Sequence, residues 1–444
     1  MRVQLSDHFT YPRIFRFTLP SIVMMMFSTL YVIVDGLFVS NFVSSNALAS
    51  INIVMPAAMI IGAVGFMLGI GGNAEVAKTL GEGKREEACK FFSLIILSVT
   101  VTGIILSVLC LLFIEPLCRL LGASDVLMDD CLIYGSIMII GATIYMLQIA
   151  FQAFFITAEK PTLGLIFTVA AGVTNMVLDY VFIVLLDMGI AGAALATNIG
   201  YAVGGIIPLF YFFLPNDSLL RFKKPEFRFT VLTHSAANGA SEMVSNISYS
   251  IVTFLYNLQT MRLAGEDGVA AITVILYVNM IFNAICMGYS FGIGPVIGYH
   301  YGAKNHGELQ NLFRRCLKVI AAVSVIMVIA AQLTADPLTN IFCDGNQKLE
   351  AMTTQGFHIY SLSFLFCGLN IFGSCFFTSL CNGKISALIS FSRTLVMETA
   401  MLLLLPALFG INGVWCAVPI TELATLLLCT ALWITQNKNY HYIH

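Results

Sequence analysis

From residue 14 to residue 434 the chain is a succession of long apolar runs broken only by short polar connections. A helix needs about 20 consecutive apolar residues to cross the hydrocarbon core of a bilayer. Twelve runs meet that length, at 14–39, 47–70, 91–114, 132–156, 163–186, 190–214, 235–258, 268–291, 316–334, 357–380, 386–409 and 412–434. Composition agrees: 58% of residues are hydrophobic and only 10% are charged, against about 25% charged in soluble domains. The expected fold is therefore an all-α integral membrane protein of twelve transmembrane helices, with no length left for a folded soluble domain.

The polar start MRVQLSDHFTYPR is followed by no short apolar core with a small-residue cleavage pattern, so the first span reads as an uncleaved helix. Twelve cysteines are scattered without a C-x-x-C pair. That argues against a disulfide framework or a zinc site, and the thiols read as small packing residues. With the amino terminus and every even loop placed in the cytoplasm, 18 of the 22 Lys and Arg fall on that side. Only Arg119, Arg262 and Lys348 fall on the other, and Arg393 lies inside the eleventh span. This bias predicts both termini in the cytoplasm of a multi-pass cell (inner) membrane protein.

Sliding the sequence on itself by 221 residues pairs Gly71 with Gly292, Gly81 with Gly302, Phe92 with Phe313, Pro116 with Pro337, Gly135 with Gly356, Phe155 with Phe376 and Gly189 with Gly410, without a gap. Glycines and prolines mark turns and close approaches, so these pairs carry more weight than apolar coincidences. They predict two six-helix lobes, 1–214 and 235–444, joined by a cytoplasmic loop over 215–234. Six spans per lobe give both lobes one orientation, a parallel repeat about an axis along the membrane normal, with a binding cavity expected between the halves. The basic linking loop is a hinge candidate, although topology and contact with anionic lipid account for its charge equally well.

Against this apolar background the buried polar residues stand out. Asn175 and Asp179 are four apart in the fifth span and share a helix face. The break DMGIAG turns the chain, and Thr197 on the returning helix reaches nearly the depth of Asp179, at about 1.5 Å per residue. Asp35 lies near the same end of the first span, so Asp35, Asn175, Asp179 and Thr197 are expected to form one cluster. A carboxylate in hydrocarbon costs at least about 2.5 kcal/mol and is normally retained for an ion, a proton or a substrate charge. At the 221 offset these four positions become Tyr256, Val396, Ala400 and Val418, which points to a task of one lobe rather than a packing need of both.

The second lobe has acids of its own. Glu398 and Glu422 flank the turn at Gly410–Gly413 by roughly equal rises and could share a depth. Arg393 is expected to neutralise Glu398. Glu242, with no base within a helical turn, is the candidate counter-charge for a cationic ligand, with Met24 and Tyr31 of the first span lining an adaptable apolar cavity. The glycine runs ending the second and eighth spans lack the G-x-x-x-x-G-K-[ST] form of a nucleotide loop and suit close helix packing.

The stretches LYVIVDGLFVS, NALASINIVMP, NMVLDYVFI with MGIAGAALAT, YGAKN and FGINGVWCAVPITE, with P-S-I early in the first span, together resemble the MATE (multidrug and toxic compound extrusion) family, in particular its bacterial multidrug-export members. The resemblance covers nearly the whole chain. It implies a two-lobe antiporter that expels amphipathic, mostly cationic drugs in exchange for sodium or protons, with the cation held at Asp35, Asn175, Asp179 and Thr197. Some members use an acid in the tenth helix, and residues 357–380 contain none. A flippase for lipid-linked oligosaccharides shares the architecture but would need a basic cavity, and Arg393 is the only intramembrane base. A membrane enzyme would need a catalytic cluster, and the seven His are dispersed. The expectation is thus a monomeric, non-enzymatic transporter without cofactor beyond the transported sodium or proton. Its partners are small organic cations and the bilayer, and no nucleic acid.

Overall fold

The structure, a computed structural model, describes residues 3–43, 45–342 and 346–443. Arg2, counted above in the charge bias, lies outside them. Eleven helical runs among the described residues are long and apolar enough to cross a membrane. The amino-terminal lobe contains α1 (Tyr11–Phe42), α2 (Ser45–Gly81), α3 (Arg85–Leu112), α4 (Met128–Thr157), α5 (Pro161–Asp179, continued by a π-helical turn Tyr180–Leu185) and α6 (Gly189–Gly205, extended by Ile207–Phe213). A single run, Phe229–Gly302, then holds both α7 (229–264) and α8 (266–302), because Gly265 breaks it at φ 65°. A straight helix of 74 residues would be about 110 Å long. Instead residues 235–239 and 299–302 both lie against 67–81 of α2, so the run doubles back at Gly265, where a side chain would be strained. This restores the twelve spans, although α7 begins at Phe229, ahead of the expected 235. The rest are α9 (His306–Phe342), α10 (Gln347–Tyr360, a 3₁₀ turn Ser361–Ser363, then Phe364–Ser379), α11 (Gly383–Ser390, a π-helical turn Phe391–Met397, then Glu398–Phe409) and α12 (Ile411–Tyr440).

The internal repeat reappears in the packing. In the first lobe Phe92 meets Phe151 at 6.4 Å and Phe212 at 5.0 Å. In the second, Phe313 meets Phe372 at 6.5 Å and Trp433 at 5.6 Å, each residue 221 positions later. The lobes join where backbones touch. A Cβ on Gly81 would strike the carbonyl of Tyr299, and one on Gly302 would strike that of Lys78. Exchanging the lobes at the 221 offset turns the first contact into the second. Gly71 against Gly239 and Gly292 against Thr18 are related in the same way. Small residues let membrane helices approach this closely, and dispersion between backbones then holds the crossing.

These crossings lie toward one end of the bundle, which also gathers both termini and the basic loops. His8 contacts Glu308 at 2.6 Å, Gln310 donates to the carbonyl of His441, and Leu5 donates its N–H to Glu159. The linking segment is pinned there to the start of α3 by Lys223–Glu86 at 2.5 Å, Arg228–Glu87 at 2.6 Å and Lys90–Glu226 at 3.2 Å. One apolar core runs through both lobes at this basic end. Toward the opposite end it gives way to two separate cores, one per lobe. The outer surface is a belt of exposed Leu, Ile, Val and Phe, such as Leu97, Ile104 and Leu427, as lipid contact requires.

Candidate functional site

The four polar residues of the first lobe come together. Gly172 of α5 gives α1 its approach: a Cβ there would lie 2.5 Å from the Phe27 ring and 3.3 Å from Tyr31. Gly200 does the same for α6, its notional Cβ lying 3.0 Å from that of Asn175. With the helices this close, Asp179 is fully buried and Asn175 and Thr197 nearly so. The Asp35 and Asp179 carboxyl groups are neighbours, and the Asn175 amide lies beside both. The Asn175 Nδ2 donates to Thr197 Oγ1 at 3.4 Å, and Thr197 donates to the carbonyl of Ala193 at 3.0 Å. Both Asp179 oxygens, Asp35 Oδ1 and Asn175 Oδ1 are shut off from solvent without a hydrogen-bond partner. Buried acceptors of this kind are costly unless something positive binds them. All are hard oxygens, and among the described residues no group of three or more His, Cys, Asp or Glu is placed to hold a metal ion. The donor set therefore suits sodium or a proton rather than a transition metal. Directly after Asp179 the helix widens into its π turn, a distortion frequent at functional positions.

Two cavities, each of about 320 Å³, open between and beside the lobes. The first is lined by Met24 and Tyr31, as expected from sequence, with Gln148, Asn246 and Cys375. The second belongs mainly to the carboxyl-terminal lobe and holds Arg393, Glu398 and Glu422. Here the expected pairing needs correction. Arg393 Nε and Nη2 both donate to Glu422 Oε1, at 2.8 and 2.6 Å, and Asn370 donates to Glu422 Oε2 at 2.6 Å. Glu398 is thus not the residue that Arg393 grips, although the two acids share the cavity as their common depth suggested. Arg393 lies in the π turn of α11 and turns toward the neighbouring helix α12. Glu242 is buried and lines neither cavity.

Comparison with known proteins places this arrangement. The model of the MatE family matches residues 20–181 and 243–403, one stretch in each lobe and in register with the internal repeat. The chain belongs to the MatE family. Among curated relatives, the multidrug export protein MepA of Staphylococcus saprophyticus is 21% identical over 91% of this chain and 89% of its own. That of Staphylococcus haemolyticus is 22% identical over the same shares. Among solved structures, a MATE in complex with MaL6 superposes with a TM-score of 0.92 at 22% identity. An outward-facing multidrug resistance MATE family transporter does so at 0.90 and 21%, each match covering 96% of both chains.

Within this MatE chain the sequence reading named Tyr31 as a cavity residue but missed the other tyrosines, and it did not place Tyr31 beside Asp35. Tyr31, Tyr134 and Tyr201 all lie close enough to Asp35 to feel its charge, and the Tyr145 ring lies tilted against that of Tyr201 at 4.7 Å between centroids. Aromatic residues are common in membrane helices, and no spacing rule marks these four. Asn370 could have been noticed, since an amide in an otherwise apolar span needs a partner as much as an acid does.

Proposed function

We propose that this transporter exports amphipathic, mostly cationic drugs by alternating access, driven by sodium or proton entry through Asp35, Asn175, Asp179 and Thr197. The observation that carries the reading is the set of buried oxygens left without donors in the amino-terminal lobe. A carboxylate pair with no base beside it among the described residues changes its energy strongly when a cation or proton arrives. A gradient can do work only through such a difference in affinity between two states. The relatives named multidrug export proteins support the substrate class. Membership of the family makes the chain a transporter rather than an enzyme. The lobes 1–214 and 235–444, with 215–234 between them, would move as units in the cell membrane, the basic end facing the cytoplasm. Joined backbones at that end and separate cores at the other favour a state open to the outside.

The deciding experiment uses the purified protein in sealed vesicles, with sodium and proton gradients imposed separately. Uphill movement of a cationic dye under one gradient supports the reading, and no response to either overturns it. A flippase is disfavoured because Arg393, the lone intramembrane base, is already committed to Glu422.

A further inference from the structure

We propose that two equivalent clasps fasten the lobes to each other at the basic end, one made by the segment 3–10 and one by the end of the linking segment, and that the first must open in every transport cycle. This rests on the export reading above and adds the contact that has to break. The segment ahead of α1 belongs in sequence to the amino-terminal lobe, yet it is fastened to the start of α9 in the other. Glu308 Oε1 accepts the N–H of Phe9 at 2.8 Å, and Oε2 contacts His8 Nδ1 at 2.6 Å. Asn311, one turn along α9, donates to the carbonyl of Phe9 at 3.0 Å and to Glu308 at 2.8 Å. Arg315, a further turn on, lies over the Tyr11 ring at 4.9 Å. Leu5 and Phe9 are completely buried, the Phe9 ring standing edge-on to Phe17 of α1 and His300 of α8. Chain ends are poorly ordered unless something ties them down, and here both polar and apolar groups do so.

The second clasp follows from the repeat. Subtracting 221 carries Glu308 to Glu87 and Asn311 to Lys90, at the start of α3. Those residues hold the segment ahead of α7, Glu87 by Arg228 at 2.6 Å and Lys90 by Glu226 at 3.2 Å. In both places the chain leading into the first helix of one lobe is gripped by the start of the third helix of the other. The clasps also adjoin the glycine crossings, since Gly302 and Gly81 stand at the ends of the helices just before them. Their strengths differ. Glu308 is 8% exposed, whereas Arg228 and Glu226 are 42% and 44% exposed. Exposed ion pairs contribute little, while a buried carboxylate bonded to a backbone N–H is costly to leave unmade. The linking segment also continues from α6, so it remains beside α3 however the lobes turn. Lobes that part at this end draw α1 away from α8 and α9, and the amino-terminal clasp is the one that must yield.

Position 77 reports such parting, because Ala77 of α2 is fully buried against Gly298 of α8 and lines neither cavity. In a full-length protein freed of its other cysteines and carrying Ala77→Cys, adding Glu308→Ala should speed maleimide labelling at least about fivefold. Adding Glu87→Ala instead should change it less than about twofold. An unchanged rate with Glu308→Ala, or a larger effect of Glu87→Ala, overturns the proposal. A loosened fold would also expose position 77, so a second variant closes the clasp instead of breaking it. His8→Cys with Glu308→Cys, joined by a short reducible bis-methanethiosulfonate, should lower dye export in sealed vesicles at least about tenfold, and dithiothreitol should restore it. Export by the joined protein at the reduced protein's rate, or failure of the pair to join, overturns the clasp while leaving the export reading intact. A wild type that exports nothing under either gradient sinks the export reading, and labelling at position 77 then still decides whether Glu308 holds the lobes together.

Discussion

In the amino-terminal lobe Asp35 and Asp179 are neighbours with no base beside them among the described residues, whereas in the carboxyl-terminal lobe Glu422 is locked to Arg393 and Asn370. The two sites occupy equivalent places. Asp35 on α1 corresponds at the 221 offset to Tyr256 on α7, and Tyr201 on α6 corresponds to Glu422 on α12. Each lobe thus sets a carboxylate near a tyrosine at the same helix pair, with the partners exchanged. One lobe leaves its buried carboxyl oxygens without a hydrogen-bond donor among the described residues, and the other closes its own with a built-in guanidinium. A parallel repeat can therefore keep one scaffold while its two copies carry different polar sites.

The contrast is sharpest in stability. Glu422→Gln should cost about 3–5 kcal/mol, because it strands Arg393 in the low-dielectric interior. Asp179→Asn, which removes a charge that has no partner, should change stability by less than about 1 kcal/mol or raise it. Thermal unfolding in detergent measures both, and a larger loss for Asp179→Asn would invert the comparison. A smaller effect tests the symmetry itself. Gly81→Ala and Gly302→Ala each press a methyl onto a carbonyl of the other lobe and should each cost about 1–3 kcal/mol. Strongly unequal losses would show that the two crossings are not equivalent.

The smallest effect lies at the linking segment. Arg228 and Lys90 hold the Glu226 carboxyl below the usual carboxylate range. A group whose folded pKa is depressed stabilises above its unfolded value and loses that contribution as pH falls through the folded one. The contact should thus be complete at neutral pH and released below about pH 4. Protease cleavage within 216–228 should rise modestly between pH 7 and pH 3.5, and Glu226→Gln should flatten that dependence. An identical pH dependence in the variant would remove Glu226 from the account.

Much of this was legible in the sequence because its signals are long or rare. Span length, the 221-residue offset, and Asn, Asp and Thr in apolar helices survive without knowledge of neighbours. What escaped depends on rotation and on partners from other helices. Counting rise per residue placed Glu398 and Glu422 at one depth but could not say which of them Arg393 grips. In a regular helix Arg393 and Glu398, five apart, would point to different sides. The π turn Phe391–Met397 fits an extra residue into the turn and brings both to one cavity. Nor did residue spacing show that Glu242 faces neither cavity, or that the glycine runs of α2 and α8 are crossing points between lobes.

Gradient-driven dye transport in vesicles by the wild type, Asp35→Asn and Asp179→Asn tests the central claim most directly. The wild type should concentrate the dye against its gradient. Each well-folded variant should bind the dye normally and fail to move it uphill, and adding Ala400→Asp at the repeat-equivalent place should not restore it. Undiminished uphill transport in both variants would show that the open carboxylates of the amino-terminal lobe are structural and that coupling resides elsewhere.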